Sequence, residues 1–210
     1  AEHRIVRQDG VVRYHHLAWR VQVSPDGLPS RIVGTVQDVT ERKTAQERLE
    51  RETAANAALA EISVPLLSPS STVAQIAAII LEKARFLTGS MHGYISEIDA
   101  LTGDNVGHTL THMLEGECEV REDRRITIPR DATGHFRHLH GHCLNTREAF
   151  FTNSPSVHPS SGGVPKGHVP LSRFLSVPVM AEERLLGQIA LANSERDYTD
   201  DDVEVIGRLA

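Results

Sequence analysis

The sequence predicts an α+β protein: an antiparallel sheet of five or six strands with flanking helices, preceded by a small β-meander and one long helix. Three observations predict it. Two apolar runs, 174–180 and 185–192, are separated by the charged tetrad Ala181-Glu182-Glu183-Arg184, the pattern of two buried strands joined as a hairpin. Residues 40–63 contain neither glycine nor proline and are rich in Ala, Glu, Arg and Leu, all good helix formers. Near the start, Asp9-Gly10 and Asp26-Gly27 stand between β-forming segments, a strong hairpin signal.

Taken in order, residues 1–39 read as a three-stranded antiparallel meander, with strands at 17–23 and 31–36 following the first hairpin. Three strands bury one face and need a further layer to bury it against, so the chain is expected to begin inside a domain. At Asp38 the period changes. Asp38 stands where an N-cap would, with Glu41 in capping-box spacing. A long helix is expected from there to about residue 62, with a break at Pro65. Its residues Ala45, Leu49, Glu52, Asn56, Leu59 and Ser63 are spaced by threes, fours and sevens. They form the seam of a parallel homodimer or one side of a single amphipathic connector.

A helix is expected over 72–87 on the face Val73, Ile76, Ala77, Ile80, Leu81 and Ala84, closed by Gly89. Strands follow at 92–98, 106–114 and 125–128, then a Gly- and His-rich loop with a short helix over 133–146. The short apolar segment Ala149-Phe150-Phe151 leads into a loop at 152–173 dense in Pro and Gly. Such a loop either builds a ligand pocket over the sheet or merely covers it. A closing helix begins at Thr199, whose following acids suit a helix N-terminus, and is expected to continue past Ala210.

Composition removes several classes of function. A net charge of −6 without a Lys/Arg patch argues against a nucleic-acid surface. Apolar runs fall short of the roughly 18 residues that span a bilayer, and no signal peptide is recognised. Two cysteines, Cys118 and Cys143, make no disulfide framework, which places the chain in a reducing cytoplasm. There is no Gly-rich phosphate loop, nucleophile elbow or kinase signature, so this stretch is read as non-catalytic.

Two resemblances then narrow the reading. Arg4-Ile5-Val6-Arg7-Gln8-Asp9-Gly10, followed by Val33-Gly34-Thr35-Val36-Gln37-Asp38-Val39-Thr40-Glu41-Arg42-Lys43, resembles the closing PAC motif of a PAS domain leading into a signalling helix. It covers the C-terminal part of that fold only, and implies no PAS ligand. Further on, Asn153-Ser154-Pro155, Gly167-His168-Val169-Pro170-Leu171, Phe174-Leu175-Ser176-Val177-Pro178 and Leu186-Gly187-Gln188-Ile189-Ala190-Leu191-Ala192-Asn193 resemble a GAF domain of the branch found beside PAS modules in bacterial and archaeal sensor histidine kinases. The implied organisation is a PAS remnant at 1–39, a signalling helix at 40–63 and a GAF domain at 64–210. The implied function is a sensory input module that relays ligand binding through its helices to a kinase or other output domain in the same chain.

Candidate ligand-binding residues are Asn153, His168, Arg173, Phe174, Cys118 and His142. Asn153, His168 and Arg173 would supply polar groups at a pocket mouth, while Asn153 in Asn-Ser-Pro is equally a turn maker. His138, His140 and His142 would share one face of an extended strand, and Cys143 could add a thiolate, giving an alternative metal site. The spacing matches no common zinc motif, so packed or surface histidines are the expected reading and no metal is assigned. Haem has candidate axial donors in His112, Met113, Cys118 and His142, but an aromatic content of 4% disfavours a haem slot. The alternative functions are therefore a haem- or metal-based redox or gas sensor, and a dimerisation scaffold without ligand.

Overall fold

The computed structural model of the chain describes residues 1–110, 126–163 and 168–210. The chain divides into two units, residues 1–54 and 55–210.

In the first unit, β1 (Glu2–Val6), β2 (Val12–Val23) and β3 (Pro29–Asp38) form the expected antiparallel meander in the order β1-β2-β3. Both Asp-Gly turns form, with Gly10 at φ 80° and Gly27 at φ 81°, a region that costs glycine little. In the β2–β3 pairing, Leu17, Trp19 and Val21 stand opposite Val36, Gly34 and Ile32. These residues therefore share one face. Trp19 lies beside Gly34, where a Cβ would approach the Ala18 carbonyl to 2.6 Å. Trp19 is 67% exposed and Val36 63%, consistent with a sheet whose second layer three strands cannot provide.

The helix α1 (Thr40–Leu66) starts where Asp38 Oδ1 accepts from the Thr40 amide at 2.9 Å. Asp38 thus acts at the helix start, one residue further out than a regular N-cap. Glu2 holds the first turn through Arg42 at 2.9 Å and Lys43 at 2.6 Å. The helix passes Pro65 by one residue instead of breaking before it. Its later part lies in the second unit, where Ala55, Ala58 and Ile62 are buried.

The second unit is built on a six-stranded sheet of β4 (Ser90–Ile98), β5 (Asn105–Leu110), β6 (Thr127–Ile128), β7 (Phe150–Thr152), β8 (Phe174–Ala181) and β9 (Arg184–Ser194). Its order is β6-β5-β4-β9-β8-β7 and every pairing is antiparallel. The β8–β9 hairpin turns on Glu182 and Glu183 as expected, with Glu182 at φ 54°. At the centre, Gly187 lets β9 approach β4: a Cβ there would lie 1.9 Å from the Ser96 carbonyl oxygen.

Helices cover both faces unequally. On one side pack α2 (Val73–Thr88), α4 (Asp200–Gly207) and Ile62 of α1. α2 is ended by Gly89 in the left-handed region, as its sequence predicts, and is set by a reciprocal Thr72–Gln75 capping box. Leu81, Leu175, Ile189, Leu191 and Ile206 are at most 5% exposed in this layer. Each contributes roughly 1.5–3 kcal/mol by burial. The other side carries α3 (His138–Thr146) over a smaller cluster of Leu139, Phe174, Ala190 and Ala192. The alternation Ile189-Ala190-Leu191-Ala192 sends large side chains to the thick layer and small ones towards α3, as the period of a strand requires. Among the described residues, no helix is long and apolar enough to cross a membrane.

Candidate functional site

Because β9 presents Ala190 and Ala192 to α3, space is left between helix and sheet. The result is a cavity of about 520 Å³ lined by Tyr94, Leu139, Leu171, Phe174, Ala190 and Ala192 together with His92, His138, His140 and His168. Its walls are mainly apolar, with a few polar groups set among them, the composition of a small-molecule site. The β4–β9 register places His92 opposite Ala192 and Tyr94 opposite Ala190, so all four share the α3 face.

The polar groups differ in state. His140 Nε2 is buried and has no hydrogen-bond partner among the described residues. Burial, aided by the nearby His138, pushes its pKa down to about 4, so the ring is neutral near pH 7. His168 Nδ1 donates to the Val169 carbonyl at 2.7 Å, which leaves Nε2 as the other ring nitrogen. His138 packs against Gly162, where a Cβ would lie 1.5 Å from its Nδ1. The Tyr94 hydroxyl accepts from Gln188 Nε2 at 2.6 Å, and Gln188 Oε1 accepts from Ser176 at 3.0 Å. Burial raises the Tyr94 phenol strongly and pushes the Cys143 thiol up to about 11. Both therefore remain protonated and act as packing groups with a polar end.

The sequence candidates separate around this cavity. His168 and Phe174 line it. His142 does not: it accepts or donates at Ser160 Oγ across 3.1 Å and packs edge-on to Phe150 and His158, at 4.6 and 5.2 Å. Burial first, and His142 second, lower the pKa of His158. Arg173 lies outside the lining, donating to Asp197 at 2.7 Å and to the Ser194 carbonyl at 3.2 Å. Asn153 is neither a mouth residue nor only a turn maker. Its Oδ1 accepts from the Tyr198 amide at 2.9 Å and its Nδ2 donates to the Tyr198 carbonyl at 3.1 Å, clamping the entry to α4. Cys118, with His112 and Met113, lies outside the described residues.

The histidine cluster needs correction in its local structure. His138, His140 and His142 stand on a helix, not an extended strand, so they cannot share one face by alternation. The glycine at 141 suits the close approach of α3 to the Phe136 carbonyl, 2.3 Å from a Cβ there. Rings of His138 and His140 are 6.0 Å apart. Among the described residues no group of three His, Cys, Asp or Glu side chains is placed to hold a metal ion. His92, Tyr94, Leu139, Ala190 and Ala192 were not singled out by the sequence. The small residues alternating with Ile189 and Leu191 were the available signal.

Comparison with known proteins matches residues 70–210 to the GAF domain family model. A curated relative, a methyl sulfide methyltransferase-associated sensor of Methanosarcina acetivorans, is 31% identical over 181 residues. The match covers 84% of this chain but 17% of that protein, so the chain spans under a fifth of its relative's length. Among solved structures, the GAF domain of a phosphoenolpyruvate-protein phosphotransferase from Coxiella burnetii is similar at TM-score 0.60 and 13% identity, covering 77% of this chain and 88% of that one. Free methionine-R-sulfoxide reductase from Neisseria meningitidis, solved in complex with its substrate, is similar at TM-score 0.52 and 16% identity, covering 70% of this chain and 78% of the other. At such identities the likeness is one of fold.

Proposed function

The chain belongs to the GAF domain family, and from that premise we propose that it is a sensory input module that binds a small, largely apolar ligand between α3 and the sheet. One observation carries this reading: a buried histidine nitrogen, His140 Nε2, stands without a partner among the described residues in the wall of a mainly apolar cavity. An unsatisfied buried polar atom costs about 1–3 kcal/mol, and a ligand group meeting it would recover that. The relative's description as a sensor supports the same reading. Signal would pass from the cavity through the sheet to α4 and to α1, whose Ile62 packs on the same core, towards a kinase or other output domain. The first unit is assigned to a PAS-type fold on its closing motif, and α1 to self-association. Such relay requires a ligand with different affinities for two packings.

Native mass spectrometry of the chain as purified tests the reading. An added mass that departs on denaturation supports it. A bare chain that also takes up nothing from a cell extract contradicts it.

A second reading is a haem-based sensor. It is favoured by His140 and His168, which both line the mainly apolar cavity, His140 with an Nε2 that has no partner among the described residues, since histidine is a common axial ligand. Bound haem would supply redox or gas-binding chemistry, while His140 and His168 would hold and orient it. A Soret band in the purified or haem-titrated protein separates this reading from the first.

A further inference from the structure

We propose that the cleft at the C-terminal end of α3, away from the ligand cavity, is a binding site for a small oxyanion, a phosphate- or carboxylate-bearing molecule. The cleft has a volume of about 580 Å³ and is lined by Arg130, His135, Phe136, Arg147, Glu183 and Arg184. A chain of net charge −6 has gathered three guanidinium groups here against one carboxylate.

None of the three guanidinium groups is paired with a carboxylate among the described residues, although the Arg130 amide donates to Asp104 Oδ1 at 3.3 Å. Arg130 Nε donates to the Gly103 carbonyl at 2.6 Å, and Arg147 Nη1 to the Glu183 carbonyl at 3.2 Å. Arg137, Arg173 and Arg196 of this unit each pair with an aspartate, whereas Arg85, like Arg130 and Arg147, donates to backbone carbonyls; what distinguishes the cleft is that three guanidinium groups share it. Like charges collected in one cleft repel, and a shared anion relieves them.

The groups are also held in place. Gly103, at φ 75°, leaves the space that the Arg130 guanidinium fills, since a Cβ there would lie 1.5 Å from Nη2. The same guanidinium stands 5.8 Å over the Phe136 ring, a cation–π arrangement. Arg147 occupies the left-handed C-cap of α3 at φ 60°, a position that favours glycine. The backbone gains nothing from arginine there, whereas its side chain reaches the cleft. A guanidinium fork suits phosphate and carboxylate oxygens in a bidentate manner, with geometry that lysine lacks.

The test is a titration of the 210-residue chain by amide NMR with inorganic phosphate, malonate and chloride at matched ionic strength. The expected result is saturable shifts at residues 134–136, 145–147 and 183–185 with phosphate or malonate, the stronger of the two naming the preferred oxyanion. Arg130→Gln and Arg184→Gln should each weaken binding about tenfold. Arg184 lies next to an exposed hairpin turn, so its variant folds even where Arg130→Gln does not. Shifts that follow all three anions alike without saturating, or an affinity unchanged in Arg184→Gln, would overturn the proposal.

Discussion

Replacing Asn153 with alanine should destabilise the second unit by about 2 kcal/mol, although the residue does not line the cavity. The side chain makes two hydrogen bonds to the Tyr198 backbone, at 2.9 and 3.1 Å, each part-buried and worth roughly 0.5–1.5 kcal/mol net. Tyr198 itself is 1% exposed, with its hydroxyl on Ser90 at 2.7 Å. A loosened backbone would therefore disturb a buried ring and not merely a loop. Asn153→Asp keeps the acceptor and loses the donor, so it should lose about half as much. The assay is urea unfolding followed by tyrosine circular dichroism, because the single tryptophan, Trp19, belongs to the first unit. For a unit of this size the alanine variant should melt about 4–8 °C lower. A change under about 0.5 kcal/mol in Asn153→Ala, well short of one hydrogen bond, would refute the clamp and return Asn153 to the role of a turn maker or ligand contact.

Three further outcomes follow from the same geometry. His140 is held neutral by burial, with its pKa near 4 against 6.5 for the free ring; the unfolded chain takes up this proton first. Stability should therefore fall by about 3 kcal/mol on acidification between about pH 6.5 and 4, and His140→Gln should flatten that part of the curve. Burial alone would raise the Asp202 carboxyl, but hydrogen bonds from Arg196 and the Thr199 amide outweigh it and hold it low. Its contribution is thus present above about pH 3.8 and lost as pH falls through the folded value; Asp202→Asn should cost about 1.5–3 kcal/mol at pH 7 as measured by urea titration. Leu49 is 68% exposed whereas Leu59 packs on the second unit's own core, so Leu49→Ala should weaken self-association in sedimentation with little loss of fold, and an unchanged profile would remove α1 as a dimer seam.

Much of the fold was legible because its signals are local. The Asp-Gly turns, the Gly89 helix end and the tetrad 181–184 each act within a few residues, and each formed the expected element. The helix end was misplaced by a few residues: Pro65 forgoes the bond its N–H would make to the carbonyl four residues back, yet the helix runs one residue past it before ending at Leu66. The site was less legible. Asn153 and Tyr198 are 45 positions apart, and their pairing exists only once the sheet is assembled. Arg173 reads as a free cation in sequence but lies against Asp197. Phe174 and His168 line the cavity, and the signal that singled them out was a Pro/Gly loop running onto a strand. The histidines at 138–142 were recognised as a group, yet their helical placement turns only some of them inward.

The measurement that bears most directly on the sensory reading compares native mass spectra of the parent chain and of Ala192→Phe, a variant that fills the cavity from its sheet side. Ala192 lines the cavity and is 6% exposed, so an aromatic ring there competes with any occupant while the α2 side of the sheet is untouched. A ligand mass present in the parent and lost in a folded Ala192→Phe variant is the predicted result. A ligand mass retained in full by that folded variant would place binding elsewhere and contradict the assignment of this cavity as the sensing site.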